Sequence, residues 1–497
     1  MSFVERVIEN ISPKWAANRQ YYKSFLRNYD AAKNDRLNAN WTAVNTTAEL
    51  TDRNYRDTIK ARARDLERNS DMAESIINAL ERNVVGTGIN LQAKILKVNG
   101  EEDDELNTKI EDLFREWCHK ENCDITGQMT FFEIQAMLMR RIEVDGGMLF
   151  IKCYDNKSGI IPFCLQAKEV DDLDTSKDTV SVGNANIRIV GGIELNEYNR
   201  PVAYWFKKYT IDGYYIGDSE RVEASRVIFP WKKTRPSQIR EISPMARTLP
   251  RVKDVNEFIE AVSVKERILA CLSVFITKMT AGNIGRSSTT DDKSGYKVKT
   301  IAPGMIHELQ PGEGVNTVNP SGQSSNAKEF VMMQQRMAGA GQGLGYETTS
   351  RDMSQVNYSS ARQGLLEDQI TYKKWQQFII EHFCRDVYIE FIKSAVLSGK
   401  LEIKDFFKYK EKYTKHIWVT PGWSWIDPLK EVKANQFALE SGMDTLSNIC
   451  GSRGLDWRDV IEQRAKEEAY QRAIRKELEL DEGGDNAKKT TTDKPNA

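Results

Sequence analysis

The sequence has little of what marks a secreted, membrane or metal-binding protein. Its 497 residues include seven cysteines and four histidines. Scattered cysteines in odd number do not suggest a disulfide scaffold, and they fit a reducing compartment. Cys118, His119 and Cys123 lie close together, but no second pair completes a zinc site, so no metal is expected. No stretch approaches the roughly 18 apolar residues of a membrane span, and the N-terminus lacks the apolar core of a signal peptide.

An excess of charge of either sign is also missing. Lys and Arg total 71 and Asp and Glu total 72, which leaves a formal net charge of −1. Proteins that hold DNA by its phosphates usually carry a clear basic excess. A conventional DNA-binding domain is therefore not expected, whereas a surface along which DNA slides is compatible with this balance.

Motifs for catalysis are absent as well. No window matches the phosphate loop G-x-x-x-x-G-K-[ST], the G-x-S-x-G elbow or the H-E-x-x-H zinc motif. The glycine-rich run 339–345 has the wrong spacing for a nucleotide site and follows a helical pattern, which favours a flexible hinge. Asp171, Asp172 and Asp174 resemble part of a cation loop but lack its glycine and distal glutamate, so a solvated turn is favoured. We expect neither enzymatic activity nor a cofactor.

What the sequence does contain is a mixture of helical and strand patterns, which predicts an α+β fold rather than a doubly wound α/β fold. Apolar spacing of three and four residues predicts helices over 51–83, 101–119, 130–143, 250–279, 326–339, 361–397, 429–442 and 456–480. Apolar runs between turn residues predict strands over 89–93, 148–153, 160–166, 187–190, 202–208, 227–231, 296–301 and 305–309. The polar segment 481–497 is expected to be disordered.

The first of these helices carries a basic stripe. Arg56, Lys60, Arg62, Arg64 and Arg68 lie opposite its apolar face. Such a stripe is more often a solvated face than a binding surface, and both interpretations stay open. The stripe alone does not predict a DNA contact.

The helix over 250–279 has the clearest apolar stripe. Steps of three and four separate most of its apolar residues, which include Val252, Val255, Ile259, Val262, Leu269, Leu272 and Ile276. About 30 helical residues span roughly 45 Å. A helix of that length with one apolar face needs neighbours along it, and identical helices in a ring would supply them. Together with the strands and the helix that follow, it predicts a hairpin with a small module at its tip.

Short distinctive segments are spread along residues 30–470. The most specific are NYSSAR at 357–362 with LLED at 365–368, and PGWSWIDPLK at 421–430. Weaker ones are ARARDLERN at 61–69, NVVGTGI at 83–89, GIEL at 192–195, RPVAYW at 200–205, RPSQIR at 235–240, PGMI at 303–306 and VNP at 318–320. In this order they resemble the lambda-type family of bacteriophage portal proteins.

That resemblance implies a mainly α portal fold whose identical subunits form a dodecameric ring. Its parts map onto the chain as an N-terminal arm (1–50), a wing with a β-rich module (51–242), a stem helix (243–281), a clip with short strands (282–325), a return stem helix (326–343), a tunnel loop (344–360), a long helix and wing return (361–428), C-terminal helices forming a small crown (429–480) and a tail (481–497). Gly345 stands where a proline is expected, which suggests a looser hinge.

The resemblance also implies a function, namely a channel at one capsid vertex through which double-stranded DNA is packaged and ejected. The tunnel loop would touch that DNA weakly through Glu347, Arg351, Asp352, Ser354, Gln355 and Asn357. The alternative for this loop is that it only packs the subunit interface. The apolar residues of the stem helix, from Val252 to Ile276, would form the contacts between neighbouring subunits.

The same resemblance implies several protein partners. The clip would dock the terminase large subunit and later the head completion or neck adaptor protein, through Tyr296, Lys297, Met305, His307 and Glu308. The wing would meet the major capsid and scaffold proteins. The expected location is the portal vertex of a virion, after assembly in the host cytoplasm. The competing interpretation is a monomeric neck or adaptor protein of the virion.

Overall fold

The chain folds as a mixture of helices and strands. A computed structural model describes residues 14, 43–97, 99–155, 159–178, 188–210, 212–270, 274–278, 313–317, 327–354, 357–423, 428–451, 453 and 455–477. Within these residues helices predominate and most strands lie in the first half of the chain, which confirms the predicted α+β class. Most of the predicted N-terminal arm and all of the predicted tail lie outside the described residues.

Three helices occupy the region where the sequence predicts one. They are α1 (Ala48–Asp52), α2 (Arg56–Asn69) and α3 (Asp71–Val84). At the break, Ser70 has an extended backbone, and its hydroxyl accepts a hydrogen bond from the Ala73 amide. Because serine caps a helix start well, one periodic pattern divides into two helices there.

Three further helices precede the sheets. They are α4 (Asp104–Trp117), α5 (Lys120–Cys123) and α6 (Phe131–Asp145). Thr130 and Glu133 form a capping box at the start of α6. Gly146 ends it with a φ of 94°, and a Cβ at this position would lie 2.6 Å from the carbonyl carbon of Ile242. Both the left-handed turn and the close approach therefore require glycine.

The strands pair antiparallel into small sheets. Those described are β1 (Asn90–Ala93), β2 (Leu149–Tyr154), β3 (Phe163–Lys168), β4 (Arg188–Val190), β5 (Ile193–Leu195), β6 (Pro201–Tyr209), β7 (Tyr215–Glu223), β8 (Val227–Ile228), β9 (Val274–Lys278), β10 (Glu313–Thr317) and β11 (His416–Val419). In this part of the chain the sheet orders are β1-β11, β9-β10, β3-β2-β8 and β4-β5-β6-β7. The sequence did not predict β5, β10 and β11 as strands, and it missed β7 because that strand is mostly exposed and polar.

The predicted long hairpin begins as a helix but does not continue as one. α7 (Leu249–Ala270) stops short of the predicted boundary at 279, and residues 274–278 form β9, which pairs with β10. The helix prediction is wrong there because Val274, Phe275, Ile276 and Thr277 are residue types that favour strands. The predicted strands 296–301 and 305–309 lie outside the described residues.

A continuous helical rod confirms the helix predicted over 361–397. It consists of α10 (Tyr358–Ile379), a π-helical turn (Ile380–Cys384) and α11 (Arg385–Leu397). The helices before it are α8 (Ala327–Gln342) and α9 (Tyr346–Ser350). The helices after it are α12 (Lys410–Tyr413), α13 (Pro428–Glu440), α14 (Leu446–Gly451) and α15 (Trp457–Glu477).

An aromatic core ties the rod to the first half of the chain. Phe114 of α4 meets Phe391 of α11 edge to face, with ring centroids 5.0 Å apart. Phe150 of β2 lies 4.5 Å from Phe383 in the π-helical turn. Such contacts add to the free energy gained by burying the rings. Because β1 also pairs with β11, the C-terminal end of the rod is fixed to the N-terminal half of the subunit.

Three residues of the basic stripe on α2, Arg56, Lys60 and Arg64, face inward, so the prediction of a solvated face is wrong for them. Arg62 and Arg68 are exposed, as that prediction has it. Lys60 is buried and contacts Asp171, and Arg64 lies 2.7 Å from Asp145 and 2.8 Å from Asp171. Burial opposes ionisation of Asp171, but the contacts with Lys60 and Arg64 outweigh it and its pKa is lowered. The solvated turn predicted at Asp171 is wrong for the same reason, because its carboxylate is neutralised by α2.

Candidate channel and subunit-contact surfaces

Two of the predicted ring-interface residues lie inside the subunit's own core. Val252 is 0 % exposed and Val255 is 1 % exposed, in the first half of α7, where this helix contacts α2 and α8. Their assignment to a ring interface is wrong, because a side chain with no accessible area has nothing left to bury against a neighbour.

The second half of α7 and the facing helix α8 leave apolar side chains uncovered. The exposed fractions are 49 % for Ile259, 42 % for Val264, 50 % for Met333 and 45 % for Met337. Val262 is half-buried beside a groove of about 310 Å³ between the two helices. Between these helices, the ring centroids of Phe258 and Phe330 lie 4.6 Å apart. The two methionines were not among the predicted ring-interface residues, although their i,i+4 spacing indicates that they share one face of a helix.

The remaining predicted interface and clip residues are divided between the described residues and those outside them. Ile276 lies on β9 opposite Val315 of β10, so it belongs to a two-stranded sheet rather than to a helix stripe. Leu269 lies in the last turn of α7. Leu272 and the predicted clip residues Tyr296, Lys297, Met305, His307 and Glu308 lie outside the described residues.

The glycine-rich run at the end of α8 serves close packing. The helix continues through Gly339 and Gly341 to Gln342, so the prediction of a flexible hinge is wrong for this stretch. A Cβ on Gly341 would lie 2.8 Å from the Thr248 Cγ2 atom. Gln342 then donates hydrogen bonds to the Pro244 carbonyl at 3.2 Å and to the Thr248 hydroxyl at 3.1 Å. Glycine is needed at position 341 because the Thr248 side chain occupies the space that a Cβ would take.

The first part of the predicted tunnel loop is a short helix held by a buried carboxylate. Asp368 of α10 accepts a hydrogen bond from the Gly345 amide at 2.7 Å and another from the Thr348 hydroxyl. Burial raises the pKa of Asp368, against the opposing effect of these two bonds. Residues 346–350 are therefore a fixed helical turn rather than an open loop. Asp368 belongs to the LLED segment, but its role depends on a contact 23 residues away along the chain.

The rest of the predicted tunnel loop is a polar turn before α10. Arg351 is exposed, with a left-handed backbone of φ 56°, and it redirects the chain after α9. Hydrogen bonds from Ser354 to Asp352 lower the pKa of that carboxyl. Asn357 caps α10 by accepting a hydrogen bond from the Ser360 amide at 2.9 Å. Gln355 lies outside the described residues.

The predicted channel residues thus fall into two groups. Glu347 belongs to α9, and Asn357 is occupied as a helix cap. Arg351 and Ser354 are exposed and stay available to a ligand, with the Asp352 carboxylate between them along the chain. One cation and two carboxylates thus lie within a short polar stretch of the chain, which is compatible with weak contact to a polyanion.

Among the described residues, no three His, Cys, Asp or Glu side chains are grouped so that they would hold a metal ion. In the same part of the chain, no helix combines the length and apolar character that crossing a bilayer requires.

Comparison with known proteins identifies the family. Residues 34–376 match the model of the phage portal proteins of the lambda family. The chain belongs to the lambda family of phage portal proteins. The chain is similar to a protein named probable portal protein of Halomonas phage phiHAP-1, with 27 % identity over 452 residues that cover 88 % of this chain and 86 % of that one.

The chain is also similar to one further phage protein and to one chain of a solved structure. Portal protein B of Escherichia phage lambda is 21 % identical over 454 residues, covering 83 % of this chain and 84 % of that protein. A chain in the solved virion of a native gene transfer agent particle is 12 % identical with a TM-score of 0.46, covering 79 % of this portal protein and 93 % of that chain.

Proposed function

We propose that this portal protein is the subunit of a closed ring that forms the DNA channel at one vertex of a tailed-phage capsid. The observation that carries the proposal is the family match over 34–376, which covers the wing, both stem helices and the tunnel loop as predicted from the sequence. The protein then acts as a structural conduit, with neither catalysis nor a cofactor. DNA enters through the ring during packaging and leaves through it during ejection.

The uncovered apolar side chains of α7 and α8 support ring formation. Ile259, Val264, Met333 and Met337 each keep between two fifths and half of their surface exposed in the single subunit. Burial of apolar surface stabilises an association by about 25 cal/mol per Å². A neighbouring subunit whose helical hairpin packs alongside would cover these side chains, and repetition of that contact would close a dodecameric ring.

The segment from Glu347 to Asn357, which contains most of α9 and the polar turn after it, supports the channel assignment. Its opposite charges would keep the net attraction to DNA small, as sliding requires. The clip, residues 282–325, would dock the terminase large subunit during packaging and the neck adaptor afterwards. The wing would contact the major capsid and scaffold proteins, so that the ring is incorporated at the portal vertex during assembly in the host cytoplasm.

Mass photometry of the purified protein tests the ring. We expect a closed oligomer for the wild type, and single subunits for a variant with Met333→Asp and Met337→Asp, because two charges would be buried in the apolar contact. The control variant carries Tyr198→Asp and Tyr214→Asp, which change exposed side chains at turns of the β-rich part. It should assemble as the wild type does.

The competing assignment makes a different prediction in the same measurement. A monomeric neck or adaptor protein would give single subunits for the wild type at all concentrations. If the Met333→Asp, Met337→Asp variant formed rings in unchanged yield, the protein would still be a ring subunit. The assignment of the contact between subunits to α8 would then be wrong.

A further inference from the structure

A lysine-rich segment follows the rod at the end opposite the predicted channel. Residues 400–415 contain six lysines and three acidic residues, Glu402, Asp405 and Glu411, whereas the whole chain has a net charge of −1. We define the lysine surface as Lys400, Lys404, Lys408, Lys410, Lys412 and Lys415. Five of these side chains are exposed, and Lys412 is half-buried. Positive charge is therefore concentrated on one surface segment of an otherwise neutral protein.

The lysine surface is fixed to the core rather than loosely tethered. Leu401 and Phe406 are buried, and they anchor the segment between α11 and β11. Asp405 has a left-handed backbone with φ 59°, which is unusual for a residue other than glycine, and its carbonyl accepts hydrogen bonds from the Lys408 and Tyr409 amides. The backbone that carries the lysines thus has a defined shape.

The segment of the lysine surface keeps a positive net charge, because its six lysines outnumber its three acidic residues and form salt bridges with none of them. Over the described residues, none of the six lysines takes part in a salt bridge, whereas exposed lysines elsewhere do, such as Lys109 with Glu105 at 2.6 Å and Lys466 with Glu462 at 2.6 Å. Lys408 lies 5.1 Å from the ring centroid of Tyr409, and Lys412 lies 5.3 Å from that of Tyr413. These cation–π contacts orient the amines without cancelling their charge.

We propose that the lysine surface binds the phosphate backbone of double-stranded DNA outside the channel. The segment contains six lysines and no arginine. Lysine acts as a point charge that suits sequence-independent contact with phosphates, whereas arginine pairs with carboxylates in a bidentate geometry. Lysine is also depleted at protein–protein interfaces. An acidic protein partner is therefore the less favoured occupant.

The length of the rod separates this surface from the predicted channel. α10 to α11 comprise residues 358–397 without a break, which corresponds to roughly 60 Å at 1.5 Å per residue. Asn357 and the polar turn lie at one end of the rod and Lys400 at the other. This inference rests on the proposed function for the origin of the DNA. In that function the lysine surface would hold packaged DNA that lies around the ring.

Binding of the full-length protein to a short blunt-ended DNA duplex, measured by fluorescence anisotropy over a series of salt concentrations, tests the inference. The variant carries Lys404→Gln, Lys408→Gln and Lys410→Gln. The control carries Lys109→Gln, Lys208→Gln and Lys466→Gln, which remove three exposed but paired lysines and so change the net charge equally. We expect weaker binding and a log–log salt slope shallower by about 2 to 3 for the first variant only, since each lost phosphate contact reduces the slope by about 0.9.

Two outcomes would overturn the inference. One is equal DNA affinity and equal salt slope in the variant and the control. The other is unchanged DNA binding together with a selective loss of binding to labelled polyglutamate, which would assign the surface to an acidic protein. Mass photometry of the same samples reports on ring formation separately, so that failure of the ring and failure of the lysine surface are distinguishable.

Discussion

Individual charged residues show how far the sequence determines their surroundings. The sequence correctly predicts that Lys60 and Arg64 lie on the same face of a helix, but it wrongly predicts that this face is solvated. In the structure both side chains reach Asp171, more than 100 residues away along the chain. Periodicity within a helix cannot reveal such a partner, because the pairing depends on how α2 packs against the segment after β3. The same limitation applies to Asp368, whose helix is predictable and whose contact with Gly345 is not.

A buried glutamate leads to a prediction about pH. Glu143 of α6 is buried, its Oε1 atom has no hydrogen-bond partner among the described residues, and burial raises its pKa from 4.5 to about 7. The folded state therefore holds the Glu143 proton more tightly than the unfolded state does. Its stabilising contribution is fully present below about pH 4.5 and is lost as the pH rises through about 7.

Glu143→Gln should remove this dependence, because the amide does not titrate. We expect the free energy of unfolding of the wild type, relative to that of the variant, to fall by about 3 kcal/mol between pH 4.5 and pH 8. Urea denaturation at several pH values measures the difference. The control variant Glu116→Gln changes an exposed side chain of α4. Its free energy of unfolding should depend on pH in the same way as that of the wild type. A constant difference between wild type and Glu143→Gln would show that Glu143 does not titrate in this range.

At the scale of elements, two helical glycines offer a matched pair. Gly341 of α8 would place a Cβ 2.8 Å from Thr248, whereas a Cβ on Gly364 of α10 would meet nothing within 4 Å. Gly341→Ala should lower the free energy of unfolding by about 1–3 kcal/mol, because the packed Thr248 side chain must shift to make room for the methyl group. Gly364→Ala should raise it by about 0.5–1 kcal/mol, because alanine favours the helix. Equal effects in urea denaturation would mean that α8 does not pack as closely as described.

The elements themselves were predicted well wherever a pattern is long. The rod, α6 and α15 follow their apolar or helical sequence patterns within a few residues. The prediction fails where tertiary pairing decides the conformation, as in residues 274–278, which continue a helical stripe but pair as β9 with β10. It also fails at Gly339 and Gly341, where glycine allows close packing rather than flexibility. A local pattern indicates which conformations a segment favours, whereas the packing or pairing with a neighbouring element determines which of them it adopts.

At the scale of the whole molecule, the sequence predicted the family more reliably than the contact residues. The ordered segments between 61 and 368 lie within the family match over 34–376, whereas the segment at 421–430 lies beyond it. The apolar stripe of α7, by contrast, divides between the subunit's own core at Val252 and Val255 and an uncovered surface at Ile259. The helical spacing of apolar residues cannot distinguish a face buried in the subunit's own core from a face left uncovered on its surface, because both have apolar residues at the same spacing.

The charge balance of the predicted channel gives the last prediction. Glu347 of α9 and Asp352 of the polar turn are the carboxylates nearest to Arg351 in the sequence. Replacing both with lysine turns weak contact with DNA into strong attraction, which every subunit of the ring would repeat. We expect packaged DNA, measured as nuclease-protected DNA per particle, to fall on the order of tenfold, since tight phosphate binding opposes sliding.

A variant with Glu197→Lys and Glu220→Lys, exposed residues of the β-rich part, makes the same charge change and should package normally. Ring assembly should be unchanged in both variants. Loss of rings in the Glu347→Lys, Asp352→Lys variant would instead favour the alternative in which this turn packs the subunit interface, and normal packaging with normal DNA retention would remove it from the channel.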